Sequence, residues 1–241
     1  MELPEQGSYA TGILFLDPNE KLREESQRLF EDAAAALDLK VFAWRDIPKN
    51  ASCLGSVAQN SEPFLVQVFV KGADSGSMDR DEEGDPLENS VLERRCYILR
   101  KSITHQMAKD AEKRFYVCSL STKTIVYKGQ LSAIQLRSYF KDLQEKDYES
   151  NFAIVHSRFS TNTVPKWKLA QPFRCISHNG EINTIKGNLN WWEAREKQLK
   201  EFDETRKPVF PVCNSNLSDS GNFDKVAEYI AKSGRSLPKV I

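Results

Sequence analysis

A strand, helix, strand, strand order between Tyr9 and Val70 is the feature that most restricts the folds open to this chain. Tyr9 to Leu16 (YATGILFL) is an apolar run of strand length, followed by Asp17-Pro18 as a turn or helix start. From Asn19 to Leu39, Leu22, Leu29, Phe30, Ala33, Ala36 and Leu37 recur at helical spacing between charges, which predicts an amphipathic helix. Lys40 to Trp44 reads as a strand closed by Arg45-Asp46-Ile47-Pro48, and Phe64 to Val70 (FLVQVFV) as another. This order leaves parallel and antiparallel sheets open.

Downstream, Gly72 to Asn89 is densely acidic without a hydrophobic period or calcium-loop spacing, and reads as a solvated loop. Leu92 to Lys109 reads as a strand turning into a helix, and Phe115 to Leu120 with Thr124 to Tyr127 as a hairpin around Ser121-Thr122-Lys123. Leu131 to Leu143, Asn188 to Leu199 and Phe223 to Ala231 read as helices, with Asn188 as an N-cap and the Trp191-Trp192 pair as core anchors. Val209 to Cys213 is apolar, and Ser218 to Asn222 reads as a polar turn.

Composition narrows the function classes. A 241-residue chain can bury a sizeable core, and 40% hydrophobic with 28% charged residues is ordinary for a globular protein. Lys plus Arg and Asp plus Glu both number 34, so no net field draws the chain to nucleic acid or an anionic membrane. No run approaches the roughly 20 apolar residues of a membrane span, and the start, MELPEQGSYATG, is not a signal peptide. A cytoplasmic setting is expected, with a plastid location of the intact protein left open. The five cysteines (Cys53, Cys96, Cys118, Cys175, Cys213) form no CxxC pair and read as free thiols, Cys118 and Cys175 as small buried hydrophobes. The three histidines (His105, His156, His178) lie far apart in sequence, and no metal site is expected.

The chemistry concentrates in Asn151 to Asn183 (NFAIVHSRFSTNTVPKWKLAQPFRCISHNGEIN). Phe152 to Val155 reads as a strand ending on His156-Ser157-Arg158, and Phe173 to Ile176 as a strand ending on Ser177-His178-Asn179-Gly180. Two strands that each finish in a polar cluster suggest two sides of one cleft. Arg158 at the exit of a buried strand needs an anion, either an internal acid or a carboxylate gripped at two points. Asn179-Gly180 alone is a hairpin turn signal, but a carboxamide followed by a glycine N–H is also a pair of neutral donors suited to an oxyanion. Asp219 in SDSGNFD can cap a helix or hold an ammonium group. An arginine for a carboxylate, an aspartate for an amine and a donor pair for an amide oxygen together describe an amino-acid amide such as glutamine. His178 beside the turn has no nucleophile that sequence can pair with it and receives no catalytic role.

HSRFSTNT (His156 to Thr163), SHNGEINT (Ser177 to Thr184) and SDSGNFD (Ser218 to Asp224), in this order, resemble the class II glutamine amidotransferase domain of the glutamate synthase large subunit. The resemblance extends to LPEQGSYATGILFLDP, WRDIP with LGSVA, YVCSLSTKTIVYKGQL, GNLNWWEAR and SGRSLP, and covers essentially the whole chain. It implies an α+β fold, the α/β/β/α four-layer sandwich of the N-terminal-nucleophile hydrolases, with two mainly antiparallel sheets between helical layers. It also implies that an N-terminal cysteine, with its own amino group as base, attacks the glutamine side-chain amide. A γ-glutamyl thioester forms, ammonia leaves, and water releases glutamate. By the same resemblance Arg158 binds the α-carboxylate of L-glutamine, Asp219 its α-amino group and Thr161 shapes the pocket, while Asn179 and the Gly180 N–H form the oxyanion hole.

The sequence departs from that family at its start, Met1-Glu2-Leu3, where a nucleophilic cysteine is expected; Cys53, in NASCLGSVA, matches the interior of the domain. Residues 1–241 are therefore expected to be a partial amidotransferase domain, incomplete at both ends and inactive alone. The intact synthase is implied to bind FMN and an iron–sulfur cluster, outside this segment, to make glutamate from 2-oxoglutarate. Its implied partners are the rest of the synthase polypeptide and a small electron-donating subunit or ferredoxin. Two alternatives stand beside this reading: a module that binds glutamine without cutting it, and an amidotransferase with another ammonia acceptor.

Overall fold

In the computed structural model, residues 3–73, 91–110, 114–157, 165–180, 182–202, 208–214 and 217–233 are described. The N-terminal order follows the sequence reading: β1 (Tyr9–Leu16), α1 (Glu20–Ala35), β2 (Leu39–Asp46), the short α2 (Ser56–Asn60) and β3 (Phe64–Gly72). Asn19, not Asp17, caps α1, its side chain accepting from Leu22 N. With β4 (Tyr116–Val117), these strands form one four-stranded sheet in the order β2-β3-β1-β4, and every pairing is antiparallel. The chain is thus α+β, with an antiparallel sheet that sequence order alone had left undecided.

Both faces of the sheet are covered, which is why its central strands read as nearly unbroken apolar runs. Leu14, Leu16, Val66, Val68 and Val70 face α1 and α3 (Val91–Met107), where Phe30, Cys96, Leu99 and Ile103 complete one core. Ile13, Phe15 and Leu65 face the other way, onto Cys118, Tyr139, Phe140 and Trp167. Gly12 sits where β1 meets residues 119–120, and a Cβ there would overlap the Ser119 carbonyl. The helix α4 (Ala133–Tyr139) and a 3-10 turn (Lys141–Gln144) border this second core, the helix opened by a Ser132–Gln135 capping box.

Helix α3 serves two cores at once. Cys96, Leu99 and Ile103 face the sheet, while Tyr97 packs with Val209, Phe210, Val212 and Tyr229 in a third cluster beneath α5 (Lys186–Phe202) and α6 (Asp219–Lys232). Lys101 is buried on that side and donates to the carbonyls of Pro211 (3.1 Å) and Val212 (3.4 Å). Burial first, then the neighbouring Lys225 and Arg100 charges, push its ammonium down to about 6 from the usual 10.5. As pH falls from 10.5, the unfolded chain takes up this proton before the folded one, so stability is lost between those values and levels off near 6. We therefore expect urea midpoints to rise from pH 6 to pH 10, and Lys101→Met to reduce that slope. An unchanged slope would contradict the burial argument.

Several expectations are corrected. Residues 91–109 contain no strand: α3 begins at Val91, because Cys96, Leu99, Ile103 and Met107 form a helical stripe within a run that is also β-rich. The 115–127 hairpin is not a ladder. Ser119 Oγ accepts from Val126 N and Ser121 Oγ from Lys123 and Thr124 N, so side chains take the bonds a second strand would use. The outgoing arm pairs with β1 instead, through Cys118 N to Ile13 O (2.8 Å) and the Thr11–Ser121 bridge. α5 begins at Lys186, ahead of the expected Asn188, and only Trp192 of the tryptophan pair reaches a core; Trp191 is 78% exposed. Most of the acidic stretch Gly72 to Asn89 lies outside the described residues.

Candidate functional site

The two strands expected at 152–155 and 173–176 are not formed. Phe152 and Val155 are 73% and 72% exposed on an extended segment with no neighbouring strand among the described residues. Apolar patterning cannot supply a pairing partner. At 173–176 the reason is local: Phe173 N donates to Ile176 O (3.0 Å), and the amides of Cys175 and Ile176 go to the Asp224 carboxylate at 2.7 and 3.1 Å. A side chain of α6 thus takes the place of a neighbouring strand. Cys175, expected to be buried, is exposed, whereas Cys118 is buried as expected.

α6 starts one residue after its cap. Ser218 Oγ accepts from Gly221 N (3.2 Å), so the capping role open to Asp219 belongs to Ser218. Asp219 instead occupies the first turn, where the helix N-terminus favours an acid, and is half-buried. The expected polar turn at Ser218–Asn222 is therefore mostly the opening of this helix.

Three polar segments meet at that first turn. His178 Nε2 lies 2.7 Å from Ser220 Oγ. The carbonyl of His178 accepts from His156 Nε2 (2.9 Å) and Gln171 Nε2 (3.2 Å), while its amide donates to Gln171 Oε1 (2.9 Å). Residues from HSRFSTNT, SHNGEINT and SDSGNFD are thereby joined by hydrogen bonds, with His178 at the hub in a structural role. Asn179 and Gly180 follow directly, both exposed, and among the described residues no ladder flanks them. A Cβ on Gly180 would meet only His178 Nδ1, at 3.7 Å, so packing among the described residues does not require glycine there. Arg158 and Thr161 lie outside the described residues.

Beneath this turn α6 carries a polar stripe, Ser220, Asp224, Glu228 and Lys232, spaced four apart and hence on one face. Glu228 pairs with Arg100 of α3 in a buried ion pair. Lys232 reaches Glu93 (2.7 Å), which also accepts from Ser121 Oγ (2.7 Å), Thr122 N (2.7 Å) and Thr122 Oγ1 (3.0 Å). Burial alone would raise the Glu93 carboxyl, but the Lys232 charge and these donors hold it below its ordinary value. For Asp224, burial and then the Glu228 charge outweigh Arg174 and the two amides, and its carboxyl is raised. On the other side of the helix, Asn222 exchanges hydrogen bonds with the Asn214 backbone at 2.9 and 3.0 Å. Gln171, Ser220 and Asp224 were not singled out from sequence; the four-residue spacing from Ser220 to Lys232 was the available signal.

The five cysteines sit on separate elements, and among the described residues no three His, Cys, Asp or Glu side chains are grouped to hold a metal. An iron–sulfur cluster, which needs cysteine thiolates on one centre, does not fit these residues. Arg45, Arg100 and Lys101 are already engaged, by Asp142, by Glu228 and by backbone carbonyls, and do not offer themselves to an FMN phosphate. No described helix is long and apolar enough to cross a membrane.

The class is settled by comparison. The family model of class-II glutamine amidotransferases matches residues 1–241, and the chain belongs to that family of N-terminal-nucleophile hydrolases. It is similar to the NADH glutamate synthase of Schizosaccharomyces pombe, 43% identical over 244 residues, covering 99% of this chain and 11% of that protein. The ferredoxin-dependent glutamate synthase 2 of Synechocystis sp. is 39% identical over 239 residues, covering 98% and 14%. The large chain of the NADPH glutamate synthase of Bacillus subtilis is 39% identical over 237 residues, covering 98% and 15%. The chain thus spans a small part of the length of these relatives.

Proposed function

We propose that this chain is the substrate-holding part of the glutaminase domain of a glutamate synthase, releasing ammonia from L-glutamine for glutamate formation from 2-oxoglutarate. The observation that carries this reading is the hydrogen-bonded chain His156–His178–Ser220, which draws three distant motifs to one helix end beside Asn179, Gly180 and Asp219. Asp219 holds the α-ammonium and Arg158 the α-carboxylate, with Thr161 shaping the pocket. The Asn179 side chain and the Gly180 N–H receive the negative charge that develops on the amide oxygen as a thiolate attacks. Collapse of that tetrahedral adduct breaks the C–N bond and expels the protonated amide nitrogen as ammonia, leaving a γ-glutamyl thioester that water hydrolyses to glutamate and the free thiol.

The attacking thiolate comes from a residue outside this sequence. Burial pushes Cys96 far up, Cys118 up to about 12 and, with the Glu228 and Asp224 charges, Cys175 up to about 12, and Cys213 is raised to about 11, whereas a nucleophile needs a lowered value. Cys53 donates its thiol to Asn50 O at 3.1 Å. FMN and the iron–sulfur cluster belong to the remainder of the polypeptide, as does the choice of electron donor. Relatives named for NADH, NADPH and ferredoxin all match this segment at 39–43% identity.

In the full-length polypeptide, Asn179→Ala should lower kcat for glutamine hydrolysis by about 10²–10³ with little change in KM. Arg158→Ala should instead raise KM. Glutamine hydrolysis by the 241-residue chain alone at the full-length rate would refute the placement of the nucleophile. The raised values of Cys96, Cys118, Cys175 and Cys213 also fit a second reading, a module that binds glutamine without cutting it. Calorimetric glutamine binding lost in Arg158→Ala, with no hydrolysis by the full-length polypeptide, would select it.

A further inference from the structure

We infer that Asp224 is a positioning residue that sets the oxyanion-hole segment against the helix holding the substrate amine. The inference rests on the glutaminase reading for its consequence, while its geometry stands independently. One carboxylate oxygen, Asp224 Oδ1, accepts from both Cys175 N and Ile176 N, so the chain entering Asn179 is fastened at two consecutive amides. Asp224 is buried, which excludes water as a competing partner for those amides. One helical turn nearer the N-terminus, Ser220 fastens His178, the residue immediately before Asn179. Asp219 lies on the same turn as Ser220. A single rigid helix therefore carries the amine-binding carboxylate and two tethers of the oxyanion segment, beside the bonds His178 makes to Gln171 and His156.

The consequence is a fixed separation between the two ends of the substrate. Among the described residues no strand pairs with 173–176, and α6 side chains hold this segment instead. Below Asp224, the Glu228–Arg100 and Lys232–Glu93 pairs bind α6 to α3 and so to the sheet. The donors are thus referred to the core through α6, alongside the direct bond from the Arg174 guanidinium to the Val117 carbonyl of β4.

The test uses the full-length polypeptide. Asp224→Ala should cost about 10²-fold in kcat, the scale of a misplaced reacting group, with KM held, because Arg158 and Asp219 still grip the amino-acid end. Asp224→Asn keeps an oxygen acceptor for both amides and should retain kcat. A folded Asp224→Ala protein with unchanged kcat, a loss expressed only in KM, or an equal fall in Asp224→Asn would each overturn the inference. Should Asp224→Ala fail to fold, Ser220→Ala removes the second tether alone and should lower kcat in the same selective way; no effect would count against it. Hydrogen exchange separates this outcome from failure of the glutaminase reading. Even in a polypeptide that does not cut glutamine, Asp224→Asn should keep the Cys175 and Ile176 amides protected, and Asp224→Ala should expose them. Equal protection in both would refute the clamp itself.

Discussion

Gly12→Val is expected to destabilise the protein by about 3–5 kcal/mol, a large part of the total stability of a domain. Any Cβ on residue 12 would overlap the Ser119 carbonyl and crowd Leu120 Cα, and both obstacles are backbone. Their freedom to retreat is limited, since Cys118 N is bonded to Ile13 O, and Thr11 and Ser121 exchange backbone bonds at 3.0 and 3.1 Å. Relief would require opening the β1 edge that seats Val117 and Cys118 in two different cores. The measurement is a urea transition of wild type and Gly12→Val followed by circular dichroism. A midpoint equal to wild type would show that this edge is far softer than its bonding indicates.

Glu228→Ala is expected to cost about 3–5 kcal/mol for a different reason. Arg100 has 3% of its side chain exposed, and its guanidinium sits 5.3 Å from the Tyr97 ring centroid with Lys101 as a sequence neighbour. Removing Glu228 leaves a buried cation without its counter-charge. Removing both charges, as in Arg100→Met/Glu228→Leu, should restore much of the loss, because neither ion then has to be desolvated. A double variant as unstable as Glu228→Ala would mean that packing, rather than charge, dominates. Both variants also load the tie between α6 and α3, so hydrogen exchange at 175–178 should rise with the loss of stability.

These two sites were invisible in the sequence for related reasons. Gly12 in YATGILFL gives no sign of which backbone approaches it, and Glu228 is one of 34 acids until Arg100, 128 residues away, is brought beside it. Helix α1 was legible because its whole signal is local: apolar residues at helical spacing and Asn19 at the start. β1 and β3 were legible as strands, yet their antiparallel pairing depended on contacts 48 to 62 residues apart, Leu16 with Phe64 and Tyr9 with Lys71. At 173–176 a strand-like sequence lost its amides to Asp224, a competition no local pattern records.

The candidate site divides in the same way. The chemistry proposed for it, donors at Asn179-Gly180 and an acid at Asp219, comes from residue types and motif order, and membership of the class-II amidotransferases is shown by the family match along the whole chain. Composition and order by themselves determined the first strands and helix and the absence of a net charge. Only the tertiary structure decided that α6 is the element onto which the motifs converge, since the hydrogen bond between Ser220 and His178 and those from the Cys175 and Ile176 amides to Asp224 bridge more than 40 positions of chain. The physical reason is that side-chain chemistry belongs to each residue alone, whereas the partner of a buried polar group is fixed by which distant segment the packed core brings within about 3 Å.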